Sequence, residues 1–286
     1  MTRIAISLPK PRLDPKPTLI HPPGRWPGLG LRDLWSSRSI ALVLAKRSLK
    51  VRYRQTLIGA GWVILQPLLL MLVFTAFFGI MVRVPQEGAP YPVFVFIGLL
   101  AWNELTKIVN EGSSSVVANR ALVLKVYFPR AHFPISVAMA TVIDMLFGIA
   151  VLGVLLAIFG VVPGAQIVTV PFFFLVGTAA ALGATFWLAA LYVSYRDVAQ
   201  LLPFLIQVWF FLTPIIYPSS IVPEPFRLIY FLNPMATVVE GLRWAFAGLP
   251  QPPLAALVIG PSVAVVMLVT GYLFFRYREP HFPDVA

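Results

Sequence analysis

Long apolar stretches recur along this 286-residue chain and are separated by short polar segments. A bilayer core about 30 Å thick is crossed by about 20 mostly apolar helical residues. Six stretches meet that requirement: residues 57–82, 91–117, 133–159, 167–193, 198–217 and 254–275. Apolar and polar residues do not alternate within them, as the strands of a membrane barrel would require. The pattern therefore predicts an all-α membrane protein with six transmembrane helices.

The segments between these stretches predict four further elements. Residues 1–30 are rich in proline and predict a flexible cytoplasmic tail. Residues 31–56 carry apolar side chains at helical spacing with basic side chains on another face, which indicates an amphipathic interfacial helix; an ordinary solvated helix is the alternative. Residues 119–130 predict a short amphipathic helix. Residues 218–253 predict two short outer helices, the second beginning at Asn233-Pro234 and ending near Gly248.

Composition and charge agree with a membrane location. The chain is 59% apolar and 12% charged, with a mean hydropathy of +0.85, whereas a soluble domain has about 25% charged residues. Eighteen of its 22 lysines and arginines lie in segments that six crossings place on one side. Basic loops stay on the cytoplasmic side. The prediction is a multi-pass membrane protein with both termini cytoplasmic, a six-helix domain at 57–276 and a cytoplasmic tail at 277–286.

Several kinds of chemistry have no support in the sequence. There is no cysteine, and three scattered histidines leave little material for a metal site. The phosphate-loop motif G-x-x-x-x-G-K-[ST] and the zinc motif H-E-x-x-H are absent. No carboxylates cluster as a general acid and base. We therefore expect no enzymatic activity, metal, cofactor or nucleic-acid partner for the chain itself.

Four charged residues fall within the predicted crossings, where each costs a few kcal/mol unless it is paired or hydrated. Glu104, Lys107 and Glu111 share one face of the second crossing. They form either a self-neutralising set that locks helices together or the wet wall of a translocation path. Asp144, in the third crossing, has no local partner, and the sequence assigns it no role.

Aromatic residues are numerous, with 22 Phe, nine Tyr and seven Trp. Many belong to the belts at the membrane interfaces. Rings can also stack on the C–H faces of sugars, which would suit a sliding glycan. The candidates for a channel or gate, together with one asparagine, are Trp62, Phe74, Trp209, Phe210, Tyr217, Tyr230 and Asn233.

Several ordered motifs give the chain a family resemblance from about Leu31 onward. They include YRQTLIG at 53–59 with Trp62, QPL at 66–68, FFG at 77–79 and YPVFVFIGL at 91–99. Further motifs are KVYFPR at 125–130, YRDV at 195–198, LTPIIYP at 212–218 and LNPM at 232–235. In these motifs the chain resembles the ABC-2-type polysaccharide export permeases, the membrane subunits of exporters of O-antigen, capsule or teichoic acid.

The resemblance implies a location in the bacterial inner membrane, together with partners and roles. Two copies of such a permease pair with two copies of a separate ATPase, which binds ATP and Mg²⁺, and the substrate is a glycan on a lipid diphosphate. Residues 119–130 correspond to a coupling helix that docks on the ATPase, and the outer helices resemble periplasmic gate helices. Coupling residues are expected at Asn119, Arg120, Leu122, Lys125, Tyr127, Phe128 and Arg130. Cations suited to the diphosphate and to anionic membrane lipids are Arg47, Lys50, Arg52 and Arg54.

Other functions remain open at this point. Within the same family, the chain could export a lipid or a drug. An ion-coupled secondary transporter would require its own coupling carboxylate at the membrane midplane and usually internal repeats. A membrane-embedded sugar-transfer enzyme would require a carboxylate cluster, which the sequence does not offer.

Overall fold

The computed structural model describes residues 28–54, 61–84, 88–195 and 197–282. Every regular element in these ranges is helical. The predicted tail at 1–27 and the motif residues at 55–60 lie outside them. The α-helices are α1 Leu31–Ser36, α2 Arg38–Arg54, α3 Gly61–Phe74, α4 Tyr91–Ala118, α5 Arg120–Lys125, α6 His132–Ile158, α7 Val170–Ser194, α8 Val198–Phe211, α9 Glu224–Tyr230, α10 Pro234–Ala247 and α11 Leu254–Arg278.

Within the described ranges, five helical segments are long and apolar enough to cross a membrane: Ile64–Met81, Tyr91–Ala118, His132–Ile158, Ala165–Ser194 and Leu254–His281. They correspond to five of the six predicted crossings, and the all-α membrane class is confirmed. The remaining predicted crossing contains α8, an apolar helix of 14 residues.

The fifth predicted crossing, residues 198–217, is helical only as far as Phe211. Pro214 disfavours helical geometry in the residue before it, and residues 213–217 form turns instead. Such irregular backbone is tolerated at membrane depth only where protein buries it and satisfies its carbonyls. Both conditions hold, because Ile215 and Ile216 are buried and their carbonyls accept side-chain hydrogen bonds.

The first crossing changes helix type along its length. Helix α3 continues into a π-helix at Thr75–Met81. The Val82 N–H donates to the Phe77 carbonyl, five residues earlier, over 2.9 Å. Short π-helical segments are rare and frequently occur at functional sites.

Helix α4 occupies the centre of the bundle and is buried along most of its length. It packs against α3, α6, α7 and α10. Helices α7 and α11 form another close pair, because Gly183 and Gly271 lie at their contact. A Cβ at Gly183 would lie 2.5 Å from the Met267 carbonyl carbon, so only glycine allows this approach.

The predicted amphipathic helix is present as two pieces, α1 and α2, separated at Ser37. The Ser37 hydroxyl contacts His132 Nε2 at 2.8 Å. Ala41, Leu44 and Ala45 form a buried stripe of α2, which packs on α6. Trp35 on α1 is 71% exposed, as expected for a helix whose other apolar face meets lipid.

Candidate functional site

A cavity of about 440 Å³, lined by both apolar and polar side chains, lies among α3, α4, α6 and α8. Helix α4 places its charged residues toward this space because Glu104, Lys107 and Glu111 recur every three or four positions. Amide and hydroxyl groups extend the polar wall. Lining side chains from the four helices include Gln66, Asn103, Asn110, Thr106, Thr141 and Asp144.

The charges beside the cavity pair between helices. Lys107 Nζ lies 3.1 Å from Asp144 Oδ2, which joins α4 to α6. Arg52, on α2, pairs with Asp144 through Nη1 and with Glu111 through Nη2. Asp144, which had no assigned role, therefore holds two cations. We call Arg52, Lys107, Glu111 and Asp144 the inner charge cluster.

Glu104 lies apart from these ion pairs. Its Oε1 accepts a hydrogen bond of 2.5 Å from the Thr178 hydroxyl on α7, and its Oε2 has no hydrogen-bond partner among the residues that the structure describes. The predicted set of Glu104, Lys107 and Glu111 thus acts across helices rather than as one local triplet. The ion pairs join helices, and Lys107, Glu111 and Asp144 line the cavity, while a translocation path along this wall stays a prediction.

The cations predicted to meet the substrate anchor occupy different environments. Arg47 and Lys50 are exposed on α2. Arg52 points into the bundle, with 19% of its side chain exposed, and is already paired. The side chain of Arg54 lies outside the described part of the chain.

Four rings from three helices pack together beside the cavity. Phe74 on α3 stacks with Phe210 on α8 at 5.9 Å between ring centroids. Trp102 on α4 meets Phe210 edge-on at 5.5 Å and Trp209 at 6.2 Å. Phe74, Trp209 and Phe210 were predicted, whereas Trp102 was missed because it lies in an otherwise ordinary apolar run. Trp62, on α3, remains half exposed.

Asn233 connects α10 to one of the other gate candidates, Trp209, at the opposite end of the bundle from α5. Its Oδ1 accepts from the Met235 amide (3.1 Å), which makes it the N-cap of α10, and from Trp209 Nε1 (2.9 Å). Its Nδ2 donates to the Thr213 hydroxyl over 2.9 Å. The Tyr230 hydroxyl lies 3.3 Å from that of Tyr217. Burial raises the pKa of Tyr230, so the phenol stays neutral.

Arg243, on α10, is completely buried and makes four contacts. Its Nη1 lies 3.1 Å from Glu240, the local ion pair that the spacing indicates. It also donates to the carbonyls of Phe94 (3.2 Å) and Ile215 (2.8 Å), and its guanidinium lies 3.3 Å from the centre of the Phe94 ring. Burial lowers the pKa of Arg243 to about 10 and Glu240 opposes that shift, so the arginine stays charged near neutral pH.

The predicted coupling segment has an exposed side and a buried side. Arg120, Leu124, Lys125 and Tyr127 are exposed, Tyr127 to 78%. Leu122 is half-buried, while Val123 and Phe128 are buried in a core with α4, α6, α7 and α11. Phe128 is therefore an anchor of this segment rather than part of its free surface. Asn119 ends α4 and donates to the Ser115 carbonyl over 2.8 Å.

No group of three or more metal-ligating side chains comes together in the part of the chain that the structure describes. The candidate site is thus a cavity lined by polar and aromatic side chains and flanked by ion pairs. The short helix α5 lies at one end of the bundle, and α10, held by the contacts of Asn233 and Arg243, lies at the other.

Comparison with known proteins gives matches along most of the chain. Residues 41–247 match the family described as ABC-2 type transporter. The O-antigen export system permease protein RfbA of Myxococcus xanthus is 32% identical over 256 residues, which cover 89% of this chain and 98% of that protein. A protein of the same name from Klebsiella pneumoniae is 29% identical over 208 residues, 72% of this chain and 80% of that protein. The polysialic acid transport protein KpsM of Escherichia coli is 23% identical over 241 residues, with 82% of this chain and 91% of that protein covered.

Proposed function

This chain belongs to the ABC-2 type transporter family, and from that premise we propose that it is the permease subunit of an ATP-driven exporter of a lipid-linked polysaccharide, most closely of the O-antigen type. The observation that carries the proposal is the similarity to an O-antigen export permease over 98% of that protein's length. The polysialic acid relative supports the broader polysaccharide class. The proposed location is the bacterial inner membrane, with the basic α5 end in the cytoplasm.

In this proposal α5 receives force from an ATPase on a separate chain that binds ATP and Mg²⁺. The support is its division into an exposed side with Arg120, Leu124 and Lys125, and a buried side with Val123. A short helix of this kind can dock in a groove without losing its hold on the bundle. Two permeases and two ATPases complete the assembly. The second permease copy would cover apolar side chains that α3 and α8 leave exposed, among them Leu69, Leu72, Phe204 and Leu205.

The substrate would enter by its lipid diphosphate at the cytoplasmic surface. Arg47 and Lys50 are exposed there and would attract it electrostatically. The glycan would then pass along the cavity and its rings. Phe74, Trp102 and Phe210 offer apolar faces for sugar C–H groups, while Asn103 and Asn110 offer hydrogen bonds. Stacking without a dense set of directed bonds would let a polymer slide.

The test is export by the complete permease–ATPase complex in liposomes. Charge reversal of Arg120 and Lys125 to glutamate should lower both substrate-stimulated ATP hydrolysis and export, with the permease still folded. Arg32→Glu is a matched control because Arg32 is also an exposed cation, on α1. Normal export by the R120E/K125E variant would remove these residues from the interface.

The same system separates the alternatives. Hydrolysis by the permease without its partner would contradict the proposed division of labour. Transport that survives an inactive ATPase but stops when the proton gradient collapses would favour an ion-coupled transporter. If a lipid or a drug stimulates ATP hydrolysis by the complex and a lipid-linked glycan does not, the result would favour a lipid or drug exporter of the same family.

A further inference from the structure

Residues 279–282, part of the stretch assigned from sequence to a cytoplasmic tail, contact the coupling segment. Helix α11 continues to Arg278 and is followed by a 3₁₀ turn at Glu279–His281. Glu279 is 5% exposed and Phe282 is 1% exposed. A carboxylate buried to this extent is rare unless it is paired. The partners of Glu279 therefore show which parts of the protein this turn is attached to.

Glu279 bonds to two different parts of the molecule. Its Oε1 accepts a 2.6 Å hydrogen bond from the backbone N–H of Arg130, between α5 and α6. Its Oε2 accepts a 2.5 Å bond from Arg276 Nη1, on α11. Arg130 lies two residues before α6 begins, so its N–H takes no part in the hydrogen bonds within that helix. The carboxylate therefore ties the end of α11 to a point 149 residues earlier in the chain.

Phe282 adds an apolar contact beside this bond. Its ring packs on Phe275 at 5.1 Å, and Phe275 packs on Phe186 of α7 at 5.4 Å. Val123 of α5 and Phe128 belong to the same buried cluster. The core that supports α5 is thus completed by the last described residue.

Helix α5 needs such support. It has six residues, far fewer than the roughly 12–15 at which an isolated helix becomes even marginally stable in water. Helix α11, in turn, packs closely along α7 at Gly183 and Gly271. A hydrogen bond from the coupling segment to the end of α11 therefore connects α5 to α11 and α7, two membrane helices that do not neighbour it in the sequence.

We propose that Glu279 and Phe282 are positioning residues, here called the C-terminal clamp, that fix the coupling segment to α11. Displacement of α5 is then transmitted to α11 and α7 as well as to α4 and α6. This inference rests on the proposed function in one respect, that a partner ATPase is what displaces α5. That the clamp holds α5 in place is a property of the permease chain by itself.

The test uses Glu279→Ala, Glu279→Gln and Phe282→Ala in the full complex. The control is Asp197→Ala, since Asp197 is an exposed acid whose side chain makes no cap hydrogen bond. Glu279→Ala and Phe282→Ala should raise the ATP hydrolysed per exported glycan by about fivefold or more, in the range of ordinary coupling between sites. Glutamine keeps an acceptor for the Arg130 amide, so Glu279→Gln should recover part of the coupling. An unchanged ratio in Glu279→Ala and Phe282→Ala would overturn the clamp.

A second measurement follows the position of α5 directly. The chain has no cysteine, so spin labels can be placed at Leu124→Cys and His281→Cys, both exposed residues. Electron paramagnetic resonance should give a narrow range of label separations in the wild type and in Asp197→Ala, and a broad range in Glu279→Ala. A narrow range in Glu279→Ala would overturn the clamp. If the wild-type complex neither hydrolyses ATP nor exports, the proposed function fails, while this measurement still decides the clamp.

Discussion

Two arginines hold opposite ends of the bundle in different ways. Arg243 is sealed in protein, and its partners are Glu240 on its own helix, two backbone carbonyls and one ring. Arg52 is partly exposed beside a cavity, and its partners are side-chain carboxylates on two other helices. Backbone carbonyls cannot turn away from a buried guanidinium, whereas side-chain carboxylates can rotate and can be replaced by another anion.

The contacts of Arg243 therefore form a permanent joint between elements, whereas those of Arg52 form an exchangeable one. Arg243 satisfies the non-helical backbone after α8, so its loss affects the fold itself. Arg52 lies on the same helix as Arg47 and Lys50, the cations proposed to attract the diphosphate. If the proposed substrate binds there, its diphosphate would compete for Arg52 with the two carboxylates, which would let this contact change during transport. Four substitutions test this contrast, beginning with the largest expected effect on stability.

Replacing Arg243 with methionine should be the most damaging change. It removes the ion pair with Glu240 and the donor to two buried carbonyls, and breaking a buried pair costs about 3–5 kcal/mol. We expect little folded protein by size-exclusion chromatography and a much lower melting temperature. The double variant Glu240→Gln/Arg243→Met should recover part of the loss. A single variant as stable as the wild type would show that this joint is dispensable.

Asp144→Asn should be milder, although Asp144 is itself buried. Arg52 keeps Glu111, and both Arg52 and Lys107 have access to solvent, so we expect a loss of about 2 kcal/mol, typical of hydrogen bonds to charged groups. Thermal unfolding of Asp144→Asn, Arg52→Gln and the double variant would give the coupling energy between the two sites. A loss equal to that of Arg243→Met would contradict the proposed contrast.

The helical outline of this protein follows from its sequence, since hydropathy locates the long spans and Asn233-Pro234 and Gly248 mark the ends of α10. The short α8 was not predicted, because residues 213–217 are apolar enough to count toward a crossing. Pro214 was the available signal against a helix there.

The site was predicted less completely than the fold. The spacing of Glu104, Lys107 and Glu111 placed them on one face, and the Glu240–Arg243 pair follows from its i,i+3 spacing. The carboxylate partners of Arg52, and the Arg130 amide that Glu279 accepts from, lie far away in sequence, and only tertiary packing brings them together. Trp102 and Phe282 carry no local signal that separates them from other apolar core residues.

Asn233→Ala tests a second set of contacts made by α10, those between its first turn and α8. The change removes an N-cap and the acceptor for Trp209, which should cost about 1–2 kcal/mol. Asn233→Asp keeps a capping oxygen but loses the donor to Thr213, so it should retain more stability than alanine. Unfolding in detergent at matched protein concentration would compare them. Equal losses would show that the cap contributes little.

Glu111→Gln should have the smallest effect. The carboxylate is 45% exposed, and exposed ion pairs contribute about 0–1 kcal/mol. Arg52 also keeps Asp144. We expect a melting temperature close to that of the wild type and a measurable change in how export depends on salt. A loss of stability as large as that of Asp144→Asn would mean that both carboxylates are equally fixed.

The π-helical end of the first span has a consequence for evolution. Each i→i+5 bond accommodates one residue more than an α-helical bond, so the side chains beyond Met81 are rotated relative to an unbroken α-helix. A relative that finishes this span as a plain α-helix can keep the same residues facing the same neighbours only by deleting one position. Single-residue gaps in alignments of such relatives should therefore concentrate between Thr75 and Met81.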